Sequence, residues 1–412
     1  MQKNKYIRIL ILGLLSAIGP FSIDMYLPGF PAIAKDLHSD ISQVSLTLSS
    51  FFIGISVGQL LYGPILDKFG RKKPLYFGLS IYILASIGCM FAYSIEALIG
   101  LRFLQALGGC VGMVASRAIV RDLFSVEENA KIFSLLMLVI GVSPIIAPTL
   151  GGYVATHLGW RYIFLILTLI GAVILALVFF LLPESKKPDS DYSLKPKFIL
   201  NRFGIVFKEP QFVTYAITGA FTAAGLYAYI AGSPHVFMEI FGASETVYGW
   251  IFAIIAGGLI VATQLNTQLL KKFTSEHIIP RAIIFQLLTG MLLVIGFWLQ
   301  WWEVYSSVIL CCIFLACQGF TFPNASALAL APFTENAGSA SALLGCIQMA
   351  VGTLTSALVS IFHNPTAVPM GLVMACCSAT ALTVLLLGRK AIKYKATLEK
   401  VEEQSVDMIQ EV

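Results

Sequence analysis

Two charged residues lie inside apolar stretches of the sequence, where their side chains could carry chemistry. Asp24 falls in the first apolar run of the chain, and Arg102 lies within the segment 101–109, LRFLQALGG. An ionised side chain in lipid is costly unless it meets a partner or an aqueous cavity. A buried carboxylate therefore has a reason to bind a proton, and a nearby cation opposes that protonation. An acid and a base placed in this way predict proton exchange coupled to a ligand.

Each of the two residues also has a simpler interpretation. Asp24 could cap a helix end near water, and the Arg102 side chain could extend to a membrane interface. Pro28 and Pro31 follow Asp24 closely. Because proline has no backbone N–H, carbonyl oxygens near these two residues are available to a ligand.

The composition shows that these residues must be held by membrane-spanning elements. Of the 412 residues, 58% are hydrophobic and only 12% are charged, about half the charged share of a soluble domain. Such a chain cannot cover a soluble fold with charged side chains, which excludes a soluble enzyme, a disordered chain and a secreted disulfide scaffold. Helices are the expected spanning element because each satisfies its own backbone hydrogen bonds in lipid.

Twelve apolar runs are long enough to cross a membrane as helices. We predict spans near residues 8–31, 43–62, 74–94, 97–118, 131–156, 161–182, 211–234, 246–270, 280–300, 306–328, 337–362 and 368–388. A polar stretch separates the sixth span from the seventh, and the short segments LDKF (66–69) and LKKF (270–273) follow the second and eighth spans. Both features are typical of transporters built from two related bundles.

The predicted fold is therefore an all-α membrane protein with twelve transmembrane helices in two six-helix bundles. We predict an N-terminal bundle at 1–183, a cytoplasmic linker at 184–209, a C-terminal bundle at 210–388 and a cytoplasmic tail at 389–412.

The basic residues predict the orientation of the chain. If both termini are cytoplasmic, the Lys and Arg residues that fall elsewhere are Lys35, Arg161 and the intramembrane Arg102. Cytoplasmic loops of membrane proteins carry such an excess of Lys and Arg. The sequence thus predicts a multi-pass protein of the cell inner membrane with both termini in the cytoplasm.

The loop between the second and third spans, GPILDKFGRKK (63–73), has the residues of a conformational latch. Its glycines allow a tight turn, Asp67 suits a helix N-terminus, and Arg71 could pair with a carboxylate across the bundle. A solvated loop that only sets orientation is the alternative. The candidate latch residues are Gly63, Asp67, Gly70, Arg71 and Lys72.

The fifth span contains the segment GVSPIIAPTLGG (141–152), which favours a hinge. Prolines four residues apart share a helix face and bend the helix, and glycines let another helix approach closely. Tight membrane packing alone is the alternative explanation. The candidate hinge residues are Gly141, Pro144, Pro148, Gly151 and Gly152.

These motifs resemble those of the major facilitator superfamily. The 63–73 loop is similar to the family signature Gly-x-Leu-Ala-Asp-x-x-Gly-Arg-Lys, and the segment from Arg102 to Ala106 is similar to the helix-four motif Arg-x-x-Gln-Gly. The 141–152 segment resembles the motif that marks drug/proton antiporters of this superfamily. Further segments look like the Bcr/CflA subfamily of bicyclomycin and chloramphenicol resistance proteins, at 24–28, 117–122, 182–185, 323–325 and 338–342.

The resemblance implies the major facilitator fold and a secondary transporter that exports drugs or other small amphipathic molecules in exchange for protons. It also implies that proton coupling uses Asp24 of helix one and Arg102 of helix four. An exporter of an endogenous metabolite, such as a siderophore or an amino acid, and a proton-coupled importer are the alternatives. We expect no enzyme, because the His residues are isolated near span ends. We also expect no ATP-driven pump, because the sequence has no Gly-x-x-x-x-Gly-Lys phosphate loop.

Four polar or aromatic residues within spans are candidate substrate ligands, namely Tyr26, Gln105, Tyr227 and Asn324. Aromatic rings offer a face to a drug, whereas hydrogen bonding between helices is the alternative role for the amides. The expected partners are a small-molecule substrate, a proton and membrane lipid. We expect no cofactor, no metal, no catalytic residue and no nucleic-acid partner, and we expect a monomer.

Overall fold

The computed structural model describes residues 2–124, 126–189, 203–333, 337–362 and 364–410, with the side chains of α13 described as far as Ile392. The predicted linker therefore lies partly outside the described residues, at 190–202. The long helices are α1 (Gln2–Asp24), α3 (Ile41–Phe69), α4 (Lys72–Met90), α5 (Ile95–Leu123), α6 (Val126–His157), α7 (Arg161–Leu181), α8 (Pro210–Pro234), α9 (Glu245–Leu269), α10 (Ser275–Trp298), α11 (Val304–Leu330), α12 (Ala337–Ile361) and α13 (Val368–Gln410). A 3-10 turn (Leu27–Gly29) and the short helix α2 (Phe30–Asp36) follow α1, and a π-helical turn (His235–Ile240) follows α8.

The predicted all-helical membrane architecture is confirmed. Eleven stretches of the described chain are long and apolar enough to cross a membrane. The fifth predicted span is present as α6, a helix of 32 residues, which completes the twelve. The chain is a multi-pass membrane protein.

The first span differs from the predicted continuous helix at 8–31. Helix α1 ends at Asp24, and the 3-10 turn separates it from α2. The reason is Pro28, which has no N–H to donate to the carbonyl of Asp24 four residues earlier. The break leaves Asp24 at the end of a helix but inside the molecule, where only 5% of the residue is exposed.

Helices α1–α7 form the first bundle and α8–α13 the second. In the first bundle α5 packs against α1, α3 and α4, and in the second α11 packs against α8, α9 and α10. Two helix pairs join the bundles, because α3 packs on α12 and α6 packs on α9. We call the contact surface between the bundles the seam.

The seam is closed at one side of the molecule. We define the N-terminal side as the side where α1 begins and α3 ends, and the opposite side as the side where α3 begins and α6 ends. Within the described chain, α3 donates the hydrogen bonds that cross the seam, two from its half nearer the opposite side and one from Ser56 near its middle, whose Oγ lies 3.4 Å from the Cys346 carbonyl oxygen. Ser45 Oγ donates to the Ala231 carbonyl at 3.2 Å, and Ser49 Oγ donates to Ser356 Oγ at 2.9 Å.

Two neighbouring glycines of α6 let backbones meet closely at the same side. A Cβ on Gly152 would lie 2.5 Å from the carbonyl oxygen of Glu245, at the start of α9. A Cβ on Gly151 would overlap the backbone of Met25 in the first bundle. Glycine is required here because a second backbone occupies the place of a side chain.

The other predicted hinge residues lie earlier in α6. The helix continues through Pro144 and Pro148, and a Cβ on Gly141 would lie at an ordinary 3.8 Å from Ile260. Bending at these residues stays a prediction.

We expect Gly152→Ala to lower the apparent unfolding temperature of the purified protein, since overpacking of this kind costs about 1–3 kcal/mol. Gly141→Ala is the matched control on the same helix, where the added methyl group meets only a side chain at contact distance. Equal unfolding temperatures for the two variants would contradict the close approach of α6 and α9.

Candidate functional site

The guanidinium group of Arg102 is enclosed in the first bundle. Its Nη1 donates to Gln105 Oε1 at 2.5 Å, and its Nη2 donates to the Ser22 carbonyl at 3.0 Å. The rings of Phe51 and Tyr26 cover it at 4.2 and 4.5 Å from the ring centres. Arg102 has no exposed surface, so its side chain does not extend to a membrane interface.

Gln105 holds Arg102 in a network that joins three helices. Its Nε2 donates to Ser86 Oγ of α4 at 2.7 Å. Tyr82, also on α4, shares a hydrogen bond of 2.8 Å with Ser22 of α1. Gln105, a predicted substrate ligand, therefore already has partners on its oxygen and its nitrogen within the protein.

Tyr26, another predicted substrate ligand, supports the same group. Its hydroxyl hydrogen-bonds Thr47 at 3.0 Å, and its ring packs edge-on to Phe30 at 5.1 Å. The ring also forms one wall around the Arg102 guanidinium. Cation–π contacts of this kind are worth about 2 kcal/mol when they are shielded from water, so the aromatic wall stabilises an otherwise costly buried charge.

Asp24 lies apart from this network. Within the described chain, no hydrogen bond or ion pair engages its carboxylate, and Arg102 has no carboxylate partner. The 3-10 turn that follows Asp24 packs against α8 and α9 of the second bundle, so Asp24 lies close to the seam. The two residues predicted to couple protons thus face different surroundings, and Asp24 is the one at the seam.

Tyr227 also lies at the seam, and Asn324 does not. The Tyr227 ring meets Phe52 of α3 edge-on at 4.8 Å. Asn324 Nδ2 donates to Asn266 Oδ1 at 2.8 Å, and Asn324 Oδ1 accepts from Ser275 at 3.0 Å. Asn324 therefore ties together α9, α10 and α11 at the N-terminal side, away from Asp24.

The latch prediction identified a charged cluster centred on Arg71. Arg71 is 5% exposed, and its Nε donates to Asp122 Oδ2 at 2.7 Å while Nη1 donates to Asp67 Oδ1 at 3.1 Å. Burial disfavours the cation, but the two carboxylates outweigh that effect and raise the pKa of the Arg71 guanidinium above its ordinary value. All three residues belong to the first bundle, so in this conformation the cluster does not bridge the seam.

The beginning of the linker docks onto this cluster. Glu184 caps α4 by accepting hydrogen bonds from the backbone N–H groups of Arg71 at 2.7 Å and Lys72 at 3.1 Å. Lys186 donates to Asp67 Oδ1 at 2.8 Å. A carboxylate at a helix N-terminus is favoured by the helix dipole, which explains this position of Glu184.

The two glycines of the predicted latch differ in whether the structure requires a glycine at that position. Gly70 has a φ of +80°, a conformation that glycine adopts without strain. A Cβ on Gly63 would meet nothing within 4 Å, so packing does not require a glycine there. Asp122, Glu184 and Lys186 were missed as members of the cluster, although two of the sequence segments that resemble the Bcr/CflA subfamily contain Asp122 and Glu184.

The sequence relatives of the chain are membrane transporters. The sequence profile of the Major Facilitator Superfamily matches residues 12–357. The chain is 34% identical over 382 residues to the bicyclomycin resistance protein homolog of Haemophilus influenzae, covering 91% of this chain and 94% of that one. It is 29% identical over 377 residues to the multidrug resistance protein MdtL of Escherichia coli O81, covering 90% and 92%.

A solved structure shares the fold. The crystal structure of a D-xylose-proton symporter superposes with a TM-score of 0.75 over 92% of this chain and 97% of that chain. Sequence identity is 14%, so the similarity concerns the arrangement of helices only.

We expect Asp122→Asn to lower the free energy of unfolding by about 2 kcal/mol, because Arg71 loses a charge-assisted partner inside the protein. The control is Lys73→Gln, a change of a neighbouring exposed residue, for which we expect less than about 0.5 kcal/mol. Unfolding in mixed detergent measures both. Comparable stabilities for the two variants would show that the buried ion pair does not hold the first bundle together.

Proposed function

Because the chain belongs to the major facilitator superfamily, we propose that it is a secondary exporter that moves drugs or other small amphipathic molecules out of the cell in exchange for protons. The names of the relatives, for bicyclomycin resistance and multidrug resistance, support drugs over an endogenous metabolite. The distribution of basic residues supports an inner-membrane location with both termini in the cytoplasm. The opposite side of the molecule then faces outward.

The observation that carries the proposal is the Asp24 carboxylate at the seam. It is 5% exposed, and no described side chain neutralises it. A charge in this position is stabilised by binding either a proton or a cationic group of a substrate. Only one of them can neutralise it at a time, so the two compete, and such linkage acts equally in both directions.

Arg102 stays outside this exchange. Its guanidinium donates to Gln105 and to the Ser22 carbonyl and lies against aromatic rings, and no described contact joins it to Asp24. In this proposal Gln105 and Tyr26 act as positioning residues for Arg102, while Tyr227 presents an aromatic face to the substrate beside Asp24.

The bonding pattern supports a mechanism of alternating access. Charged contacts lie within the first bundle, whereas the seam holds hydroxyl–carbonyl and hydroxyl–hydroxyl bonds. In this proposal the bundles rock as rigid bodies, with the close contact between Gly152 and Glu245 breaking and reforming at the opposite side. The cluster around Arg71 keeps the first bundle and the linker together during that motion.

We expect Asp24→Asn to lower the rate of proton-driven efflux at least about tenfold, because an amide neither binds a proton nor changes charge. Asp24→Glu is the matched control, since it keeps the titrating group, and it should retain pH-dependent efflux. Uptake of a cationic drug into everted vesicles with an imposed pH gradient measures both. Full pH-dependent exchange by Asp24→Asn would remove Asp24 from the mechanism.

A further inference from the structure

A cleft of about 560 Å³ lies in the first bundle at the opposite side of the molecule. Lys35 and Asp36 line it from α2, and Trp160, Arg161 and Tyr162 line it from the connection between α6 and α7 and from the start of α7. Sites for small ligands have volumes of about 300–1,000 Å³. The cleft therefore has room for a polar group of a ligand, and all of its lining residues belong to one bundle.

The cleft brings together the two basic residues that the sequence places at the opposite side. If both termini are cytoplasmic, Lys35 and Arg161 are the Lys and Arg residues of the outer connections. Basic residues are disfavoured there, because the orientation of membrane proteins places Lys and Arg in the cytoplasm. The two exceptions nevertheless line the same cleft, which points to an anionic partner.

Arg161 is held in place by its neighbours in the structure. Its Nη1 forms an ion pair with Asp36, its Nη2 donates to the Ala92 carbonyl at 3.2 Å, and its guanidinium lies 4.3 Å from the centre of the Trp160 ring. The Trp160 indole N–H donates to Asp36 at 3.2 Å. The Asp36 carboxylate thus already has two donors, while a guanidinium has five N–H groups and keeps donors for a further acceptor.

Lys35 gives the cleft an excess of positive charge. Its side chain is exposed, and no hydrogen bond or ion pair engages its ammonium group within the part of the chain that the structure describes. Two cations therefore face a single carboxylate in the lining, and His38, which also lines the cleft, adds positive charge when it is protonated. An anion that enters the cleft meets one unpaired ammonium and one ordered guanidinium.

An apolar stripe on α7 begins at the same cleft. Its exposed members are Tyr162, Leu169, Val173 and Phe180. Their spacing of seven, four and seven residues places them on one face of the helix. An exposed apolar face of a membrane-spanning helix lies against acyl chains, and Tyr and Trp are enriched at the level of the headgroups. The arrangement therefore favours an anion that carries acyl chains over a free anion.

We propose that this cleft binds the phosphate group of a phospholipid, with Lys35 and Arg161 donating to the phosphate oxygens and an acyl chain lying along the α7 stripe. Arginine suits this role because its planar fork of donors matches phosphate. The bound lipid holds α2 against the start of α7. Because α2 follows directly on the 3-10 turn after Asp24, the lipid fixes the outer end of the segment that carries Asp24. Assignment to the outer leaflet rests on the orientation proposed above, whereas binding itself does not.

The test is hydrogen–deuterium exchange on the purified, delipidated full chain in dodecyl maltoside, with dioctanoyl phosphatidylglycerol as the probe. Peptides covering residues 30–40 and 158–166 report on the two walls of the cleft, and we expect the probe to slow their exchange. Lys35→Gln should need at least about tenfold more lipid for half-maximal protection, because a charge-assisted contact to phosphate is lost. Lys35→Arg keeps the charge and should bind as the wild-type protein does.

Lys73→Gln is the matched control, because it removes the same charge from an exposed residue at the N-terminal side. We expect it to need as much lipid as the wild-type protein for protection of the same peptides. Equal lipid requirements of wild-type protein and Lys35→Gln would overturn the proposal.

Two further probes separate the phosphate from the acyl chains. Dioctanoylglycerol has the chains without the phosphate, and inorganic phosphate lacks the chains, so neither should protect the cleft at the concentration at which the phospholipid does. Equal protection by inorganic phosphate would assign the cleft to a free anion, and equal protection by dioctanoylglycerol would show that phosphate is not recognised. Either result would contradict a phospholipid site.

These measurements need neither a transported substrate nor a pH gradient. A chain that binds the phospholipid as expected but shows no proton-driven efflux would contradict the proposed antiport alone. A chain with normal efflux and no dependence of lipid protection on Lys35 would contradict the lipid site alone.

Discussion

A carboxylate without a counter-ion, held inside a membrane protein where two bundles meet, is the constraint on which the rest of the structure depends. Asp24 is buried, whereas Arg102 donates to Gln105 and to a backbone carbonyl and lies against aromatic rings, with no described contact to Asp24. If the two side chains were paired, each would neutralise the other and neither would respond to a ligand. Their separation leaves Asp24 for mobile partners, namely a proton and a substrate.

The distribution of bond strengths in the fold suits this chemistry. Within the first bundle, Arg71 joins Asp67 and Asp122 by charge-assisted hydrogen bonds, which are the strong class. Within the second bundle, Asn324 joins Asn266 and Ser275 at the corresponding ends of its helices. The described contacts across the seam include neutral hydroxyl contacts, an aromatic contact between Phe52 and Tyr227, and close packing at Gly152. The charge-assisted bonds thus lie within the bundles, and the described hydrogen bonds between the bundles are of the weaker, neutral kind.

Much of this arrangement could be predicted from the sequence, because lipid imposes simple rules. Apolar runs predicted the helices, and a charge inside a run predicted the candidate proton site. The helix break after Asp24 was not predicted, because spans were placed by hydropathy alone. Hydropathy does not depend on the backbone N–H that Pro28 lacks. The partner of Arg71 was also missed, since Asp122 is distant in sequence and only folding brings the two together. For Asn324, a helical segment alone could not tell which neighbour its amide would face. Roles in transport for the predicted site residues stay predictions.

The most direct test of the central claim is a count of protons released when a cationic drug binds to the purified protein in weakly buffered solution. If proton and substrate compete for Asp24, binding near neutral pH releases protons from the wild-type protein, and binding to Asp24→Asn releases none. Equal release from both proteins, or binding to the wild-type protein without any release, would contradict the account.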